Sequence, residues 1–121
     1  MADRSKPGED IARSRFTVGE AERLLPPAGT HPRSAAVYQH GSMLLKLFEP
    51  RGHDPQGPHT RDELYFVTQG SGWFVNGDQR YRFQTGDVLF VPAGVTHRFE
   101  DFSPELTVWV VFYGPEGGER E

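Results

Sequence analysis

Glycine and proline cut this chain into short pieces, and most pieces carry a strand-length apolar pattern. The 121 residues include 14 Gly and 10 Pro. Such a content would suit disorder, but 36% hydrophobic and 12% aromatic residues oppose that. The remaining option is an all-β domain with many tight turns. Val37–Gln39 and Met43–Phe48 flank His40-Gly41, a hairpin signal. Glu63–Thr68, Trp73–Val75, Arg80–Phe83, Asp87–Val91, Thr96–Asp101 and Leu106–Tyr113 read as further strands. Turns fall at Gly70–Gly72, Asn76-Gly77 and Pro92–Gly94. Period-2 alternation puts Leu106, Val108, Val110 and Phe112 on one face of the last strand. It likewise separates Met43, Leu45 and Leu47 from Leu44, Lys46 and Phe48. About eight short strands fit a double-sheet jelly roll, a double-stranded β-helix.

One short helix is expected before the strands, over Thr17–Leu25. Thr17 and Glu20 have the spacing of a capping box, and Pro26-Pro27 stops the helix. Residues 1–14 and 114–121 are charged or Gly-rich and read as flexible tails. They leave 15–113 as one folded domain.

The charge balance is 13 Lys+Arg against 17 Asp+Glu, a net −4, which argues against a nucleic-acid partner. No run approaches the roughly 20 apolar residues of a membrane span, and Met1–Ser14 lacks a signal-peptide core. A cytoplasmic protein without a membrane partner is expected. There is no Cys, so disulfides, thiolate metal sites and cysteine nucleophiles are excluded.

Metal chemistry in this chain is therefore restricted to nitrogen and oxygen ligands. Two His and one carboxylate on one face of a divalent ion leave positions open for water, substrate or O₂. His59, Glu63 and His97 offer that set, and His53 lies in the nearby Gly/Pro loop. Spacing alone leaves two readings open. Either these residues hold a metal, or His59 bonds locally in a loop and Glu63 faces solvent. Asp62 reads as a surface carboxylate on the face opposite Glu63. Trp73, Phe74, Phe83, Phe90, Phe99, Trp109 and Phe112 read mostly as core.

Two ordered segments resemble the motifs of the cupin superfamily. Gly86-x5-Pro92-x-Gly94-x2-His97 is similar to the second motif, with Asp101 where an Asn is usual. His59-x3-Glu63-x6-Gly70 is similar to the later part of the first, and 15 residues separate Gly70 from Gly86. The stretches GHDPQGPHTRDELYFVTQGSG and GDVLFVPAGVTHRFEDF look like those of small single-domain bacterial cupins. The resemblance implies a jelly roll with one divalent transition metal (Fe, Mn, Ni, Co or Zn) on His59, Glu63 and His97. The first motif ordinarily carries another His two residues before the one matched by His59. That place is Gly57, so Gln56 or His53 is the expected substitute. Asp101 is expected to orient a loop or a ligand ring nitrogen.

The implied function is a mononuclear metal-dependent enzyme acting on a small organic molecule. Dioxygenase chemistry and redox-neutral isomerase, cyclase or lyase chemistry both suit the ligand set. The alternative is a small-molecule-binding or sensor module with a structural metal or none. A homodimer is expected from the same resemblance.

Overall fold

The computed structural model describes residues 14–29 and 32–120 of the chain. The expected tail over 1–14 therefore lies outside the described residues except for Ser14, and so does His31.

A short helix, α1 (Val18–Glu22), opens the described chain. Thr17 caps it with both halves of a capping box. The Thr17 side chain accepts from the Glu20 N–H at 3.1 Å, and the Glu20 carboxylate accepts from the Thr17 N–H at 3.2 Å. The helix ends three residues earlier than Leu25. Leu24 and Leu25 donate to carbonyls only three residues back, and Leu24 is 57% exposed. A tightened last turn with no apolar anchor has nothing to prolong it.

Eight strands follow: β1 (Arg33–His40), β2 (Met43–Glu49), β3 (Asp62–Gln69), β4 (Gly72–Asn76), β5 (Gln79–Phe83), β6 (Val88–Val91), β7 (His97–Glu100) and β8 (Thr107–Tyr113). They form a five-stranded sheet, β1-β2-β8-β3-β6, and a three-stranded sheet, β5-β4-β7, with every pairing antiparallel. This is the expected jelly roll. Both hairpin turns sit one residue later than the sequence suggests. His40 pairs with Met43 across Gly41-Ser42, and Asn76 pairs with Gln79 across Gly77-Asp78. In each, the glycine takes the positive φ of the first loop position, 59° and 64°.

Alternation puts one face of each sheet inside. Phe48, Tyr65, Val67, Phe74, Phe83, Leu89, Val91, Phe99, Leu106, Val108 and Val110 form the buried core. On β6 the same alternation turns Val88 and Phe90 outward, 54% and 46% exposed, so Phe90 is not a core residue as expected. Strand β2 is buried on both faces. Phe48 joins the barrel core, whereas Leu47 is wholly buried on the side where α1 packs, as is Ala21 of α1.

Gly70 shows why the turn between β3 and β4 needs a glycine. Its φ is 115°, and a Cβ there would stand 2.8 Å from the Leu106 Cα. The stretch expected as a C-terminal tail is bonded to the barrel: Gly117 donates to Thr60 O at 2.7 Å and Glu119 to Asp62 Oδ2 at 2.8 Å. Among the described residues no helix is long and apolar enough to cross a membrane.

Candidate metal centre

Three segments that are distant in sequence deliver His59, Glu63 and His97 to one point inside the barrel. Glu63 lies on β3, where alternation aims it inward with Tyr65 and Val67. His97 opens β7 in the other sheet, held by pairing with Asn76. His59 precedes β3 in the loop from 50 to 61, and its carbonyl accepts the Gly94 N–H at 2.7 Å. Gly94 has φ 81°, which lets the Pro92–Gly94 turn fold back on that loop. This bond, with the pairing of β3 to β6, ties the two motif segments together.

The ligand atoms of the three residues all lie within 4.8 Å of one another. His59 Nδ1 and His97 Nε2 are each 2.9 Å from Glu63 Oε1. Glu63 is 1% exposed and His97 is fully buried, whereas the His59 side chain is 34% exposed. His97 Nδ1 is 2.9 Å from the Val95 carbonyl, an acceptor, so that nitrogen carries a proton and Nε2 faces inward. A proton on Nε2 would not point along the line to Oε1, and Nε2 has no aligned hydrogen-bond partner. Glu63 Oε2 is likewise buried and without one.

Buried polar atoms without hydrogen bonds, Glu63 Oε2 wholly and His97 Nε2 apart from its ion-pair contact with Oε1, cost folding energy unless a further group satisfies them. They belong to a set of two imidazoles and one carboxylate, whose chemistry fits a divalent transition ion. Burial alone would raise the Glu63 carboxyl pKa, but contacts with His59 and His97 outweigh it and hold the group below its ordinary value. Burial would lower His97, but the Glu63 carboxylate and Val95 carbonyl outweigh it and raise the ring. The protein thus favours a negative charge at the centre of the cluster.

The cluster opens on a cavity of about 170 Å³. Phe48, Val110 and Phe112 line its apolar side, and Gln56, Tyr65, Lys46 and Ser34 add polar groups. The His59 ring meets Phe112 edge-on at 5.1 Å between centroids.

The candidates for the missing ligand part company here. Gln56 is in the cavity wall with His59 and Glu63. Its Nε2 donates to Asp54 Oδ2 at 2.7 Å, and its Oε1 accepts from the Tyr65 hydroxyl at 3.1 Å. The carboxylate can only accept, so it fixes which end of the amide is which. His53 is exposed and lines a different depression, with Arg98 and Asp101.

Other residues depart from expectation. Asp62 is not a surface carboxylate: it is 5% exposed and accepts from the backbone N–H groups of Ala93 and Glu119. Those bonds, led by that from Glu119, hold its pKa below the ordinary value. Asp101 orients no ligand ring. It sits in a turn at φ 47°, exposed, and pairs with Arg80 at 2.9 Å. Arg80 also stacks on Trp73, 4.5 Å from the ring centroid.

Sequence reasoning left out Tyr65, Asp54 and Lys46. Tyr65 is two residues beyond Glu63 on one strand, so alternation was a usable signal. Burial, then the nearby Glu63 charge, push its hydroxyl pKa well up, so it stays a donor. Asp54 is 3% exposed and also accepts the Phe99 N–H at 2.9 Å. No local pattern in its loop announces that.

Comparison with known proteins agrees with this architecture. A family model described as Cupin domain matches residues 44–113. An uncharacterized protein of Streptomyces coelicolor is 44% identical over 63 residues, covering 52% of this chain and 60% of that protein. An acireductone dioxygenase of Frankia alni is 31% identical over 121 residues, covering 91% of this chain and 56% of that protein. A Xenopus laevis acireductone dioxygenase matches over 46 residues at 39% identity, 34% of this chain and 26% of that one. This chain therefore spans less than two thirds of each of these relatives. Among solved structures, KdgF from Halomonas sp. superposes with a TM-score of 0.68 at 18% identity, covering 84% of this chain and 96% of that one. The Schizosaccharomyces pombe Cnp3 cupin domain gives 0.69 at 13% identity, over 84% and 74%. At such identities these neighbours share the fold alone. With the family match running over 44–113 and the barrel closed by two antiparallel sheets, the chain belongs to the cupin family.

Proposed function

We propose that this cupin is a mononuclear metal-dependent enzyme that acts on a small organic molecule, with dioxygenase chemistry the favoured class. The observation that carries the reading is the convergence of His59, Glu63 and His97 on one point beside a cavity, with Glu63 Oε2 buried and without a hydrogen-bond partner. His59, Glu63 and His97 would hold the ion, and the Gln56 amide oxygen would stand in for the missing motif His. When bound, a divalent transition ion in this set supplies Lewis acidity and open coordination positions. The likeness to acireductone dioxygenases supports the dioxygenase class over redox-neutral chemistry.

The protein's own groups have separate tasks. The Val95 carbonyl holds the His97 ring so that Nε2 presents a lone pair. Tyr65 holds the Gln56 oxygen and remains protonated. Phe48, Val110 and Phe112 keep one side of the cavity dry and leave the polar end to bind.

The test is elemental analysis of purified protein, followed by O₂ uptake with an acireductone, a cyclic diketone, a phenol and a thiol. Near-stoichiometric metal and O₂ consumption with one substrate are expected. Less than about a tenth of an equivalent of metal, with no rise in melting temperature on adding Fe, Mn, Ni, Co or Zn, overturns the metal reading. One observation favours a second reading, a non-catalytic ligand-binding module: Gly57 occupies the place of a motif His. Saturable ligand binding without turnover would select it.

A further inference from the structure

We propose that Lys46 is the specificity residue of the barrel cavity and that the ligand is a compact organic acid whose carboxylate it receives. The other end of this ligand rests on the metal-site reading above, but the part played by Lys46 stands on its own geometry.

The pairing registers place inner-face residues of β2, β8 and β3 in rows. Leu44, Phe112 and Glu63 form one row; Lys46, Val110 and Tyr65 the next; Phe48, Val108 and Val67 the third. Lys46 thus sits one row from Glu63 and two strands away. At the usual strand spacing its Cα is roughly 10 Å from that of Tyr65. Its own row and the third hold otherwise uncharged residues, and Lys46 is a half-buried residue of the cavity lining. A partly buried cation in such a place needs a counter-charge or retained water.

The one carboxylate that lines this cavity, Glu63, makes no ion pair with Lys46 and is engaged by His59 and His97. Among the described residues Lys46 joins no ion pair. Guarding a sheet edge is not its role, because β2 is hydrogen-bonded on both sides, to β1 and β8. The Ser34 hydroxyl lines the same cavity from β1 and offers a second donor. The volume, about 170 Å³, is below the roughly 300–1,000 Å³ of sites for drug-sized ligands, so the acid is small.

Titration calorimetry on the metal-free and the metal-loaded protein tests this. The probes are pyruvate, oxalate and succinate, each beside its neutral amide. At least one acid is expected to bind at least about tenfold more tightly than its amide. Lys46→Met should abolish that preference, Lys46→Arg should keep most of it, and neither should change metal content. Lys46→Gln serves if the methionine variant folds poorly, and the acid-over-amide ratio of the unaltered protein is readable in any case. The proposal is overturned if no acid binds saturably, if acid and amide bind alike, or if Lys46→Met binds the acid as tightly as the parent. A Lys46-dependent preference in protein that takes up no metal would sink the metal reading and leave this one standing. Full metal uptake without the preference would do the reverse.

Discussion

The cluster is held from two sides that differ in how they are built. On one side, Pro92–His97 is a tight turn entering a paired strand, and backbone geometry does the holding. Gly94 reaches His59, Val95 fixes the His97 ring, and Asn76 sets the register. On the other side, the loop from 50 to 61 is irregular: backbone bonds from Gly94 and Gly117 hold its end at His59 and Thr60, and side chains hold its middle. Asp54 ties down Gln56 and the Phe99 amide, and His59 stays one-third exposed. The difference matches where the first motif departs from the cupin pattern. Backbone-held positions demand particular residues at particular φ angles, whereas a side-chain network admits substitutes. The missing His falls on the side-chain side.

If the two sides differ in this way, ligand removal should cost unequally. His97→Ala is expected to cause the largest loss. It should abolish metal uptake and destabilise the metal-free protein by about 3 kcal/mol, because it empties a buried position and strips Glu63 of one partner. Metal analysis and urea unfolding check this, and stoichiometric metal in the variant would refute the ligand assignment.

His59→Ala sharpens the contrast. Metal affinity should fall by at least about a hundredfold, yet stability should change by only about 1 kcal/mol, since the side chain is partly exposed. A stability loss equal to that of His97→Ala would remove the distinction between the sides.

Asp54→Ala probes the side-chain network directly. It leaves the Phe99 N–H and the Gln56 amide without their acceptor and should cost about 2 kcal/mol in unfolding. Metal affinity should fall several-fold through the released Gln56. Unaltered stability would show that the loop is held by other means.

The smallest effects separate the two substitutes. Gln56→Ala should weaken metal binding about tenfold in competition with a chelator, and His53→Ala should leave it unchanged. The reverse result would transfer the role to His53, and unchanged affinity in both would leave the ion with three protein ligands.

Much of the barrel was legible because alternation and turn chemistry are local. The strands of the core, the capping box at Thr17 and the turns near Gly77 and Gly94 follow from neighbouring residues. The errors are those of local reasoning. Phe90 is aromatic and was expected inside, but its parity on β6 points it out. Asp62 was expected at the surface, but two backbone donors from distant segments meet it and make burial tolerable. Tyr65 was readable from its spacing to Glu63, and Lys46 from its place among inward-facing neighbours. Asp54 was not, because its partner Phe99 lies far along the chain and meets it only in the closed barrel.

The sequence by itself determined the two-sheet barrel and the chemistry open to it. Gly/Pro punctuation and period-2 alternation act over a few residues, and the absence of Cys limits any metal site to nitrogen and oxygen donors. Only the tertiary structure decided which of the nearby polar side chains share one cavity. It placed Gln56 and Lys46 there and His53 elsewhere, because the path of a loop and the order β2-β8-β3 depend on pairings between strands far apart in the chain.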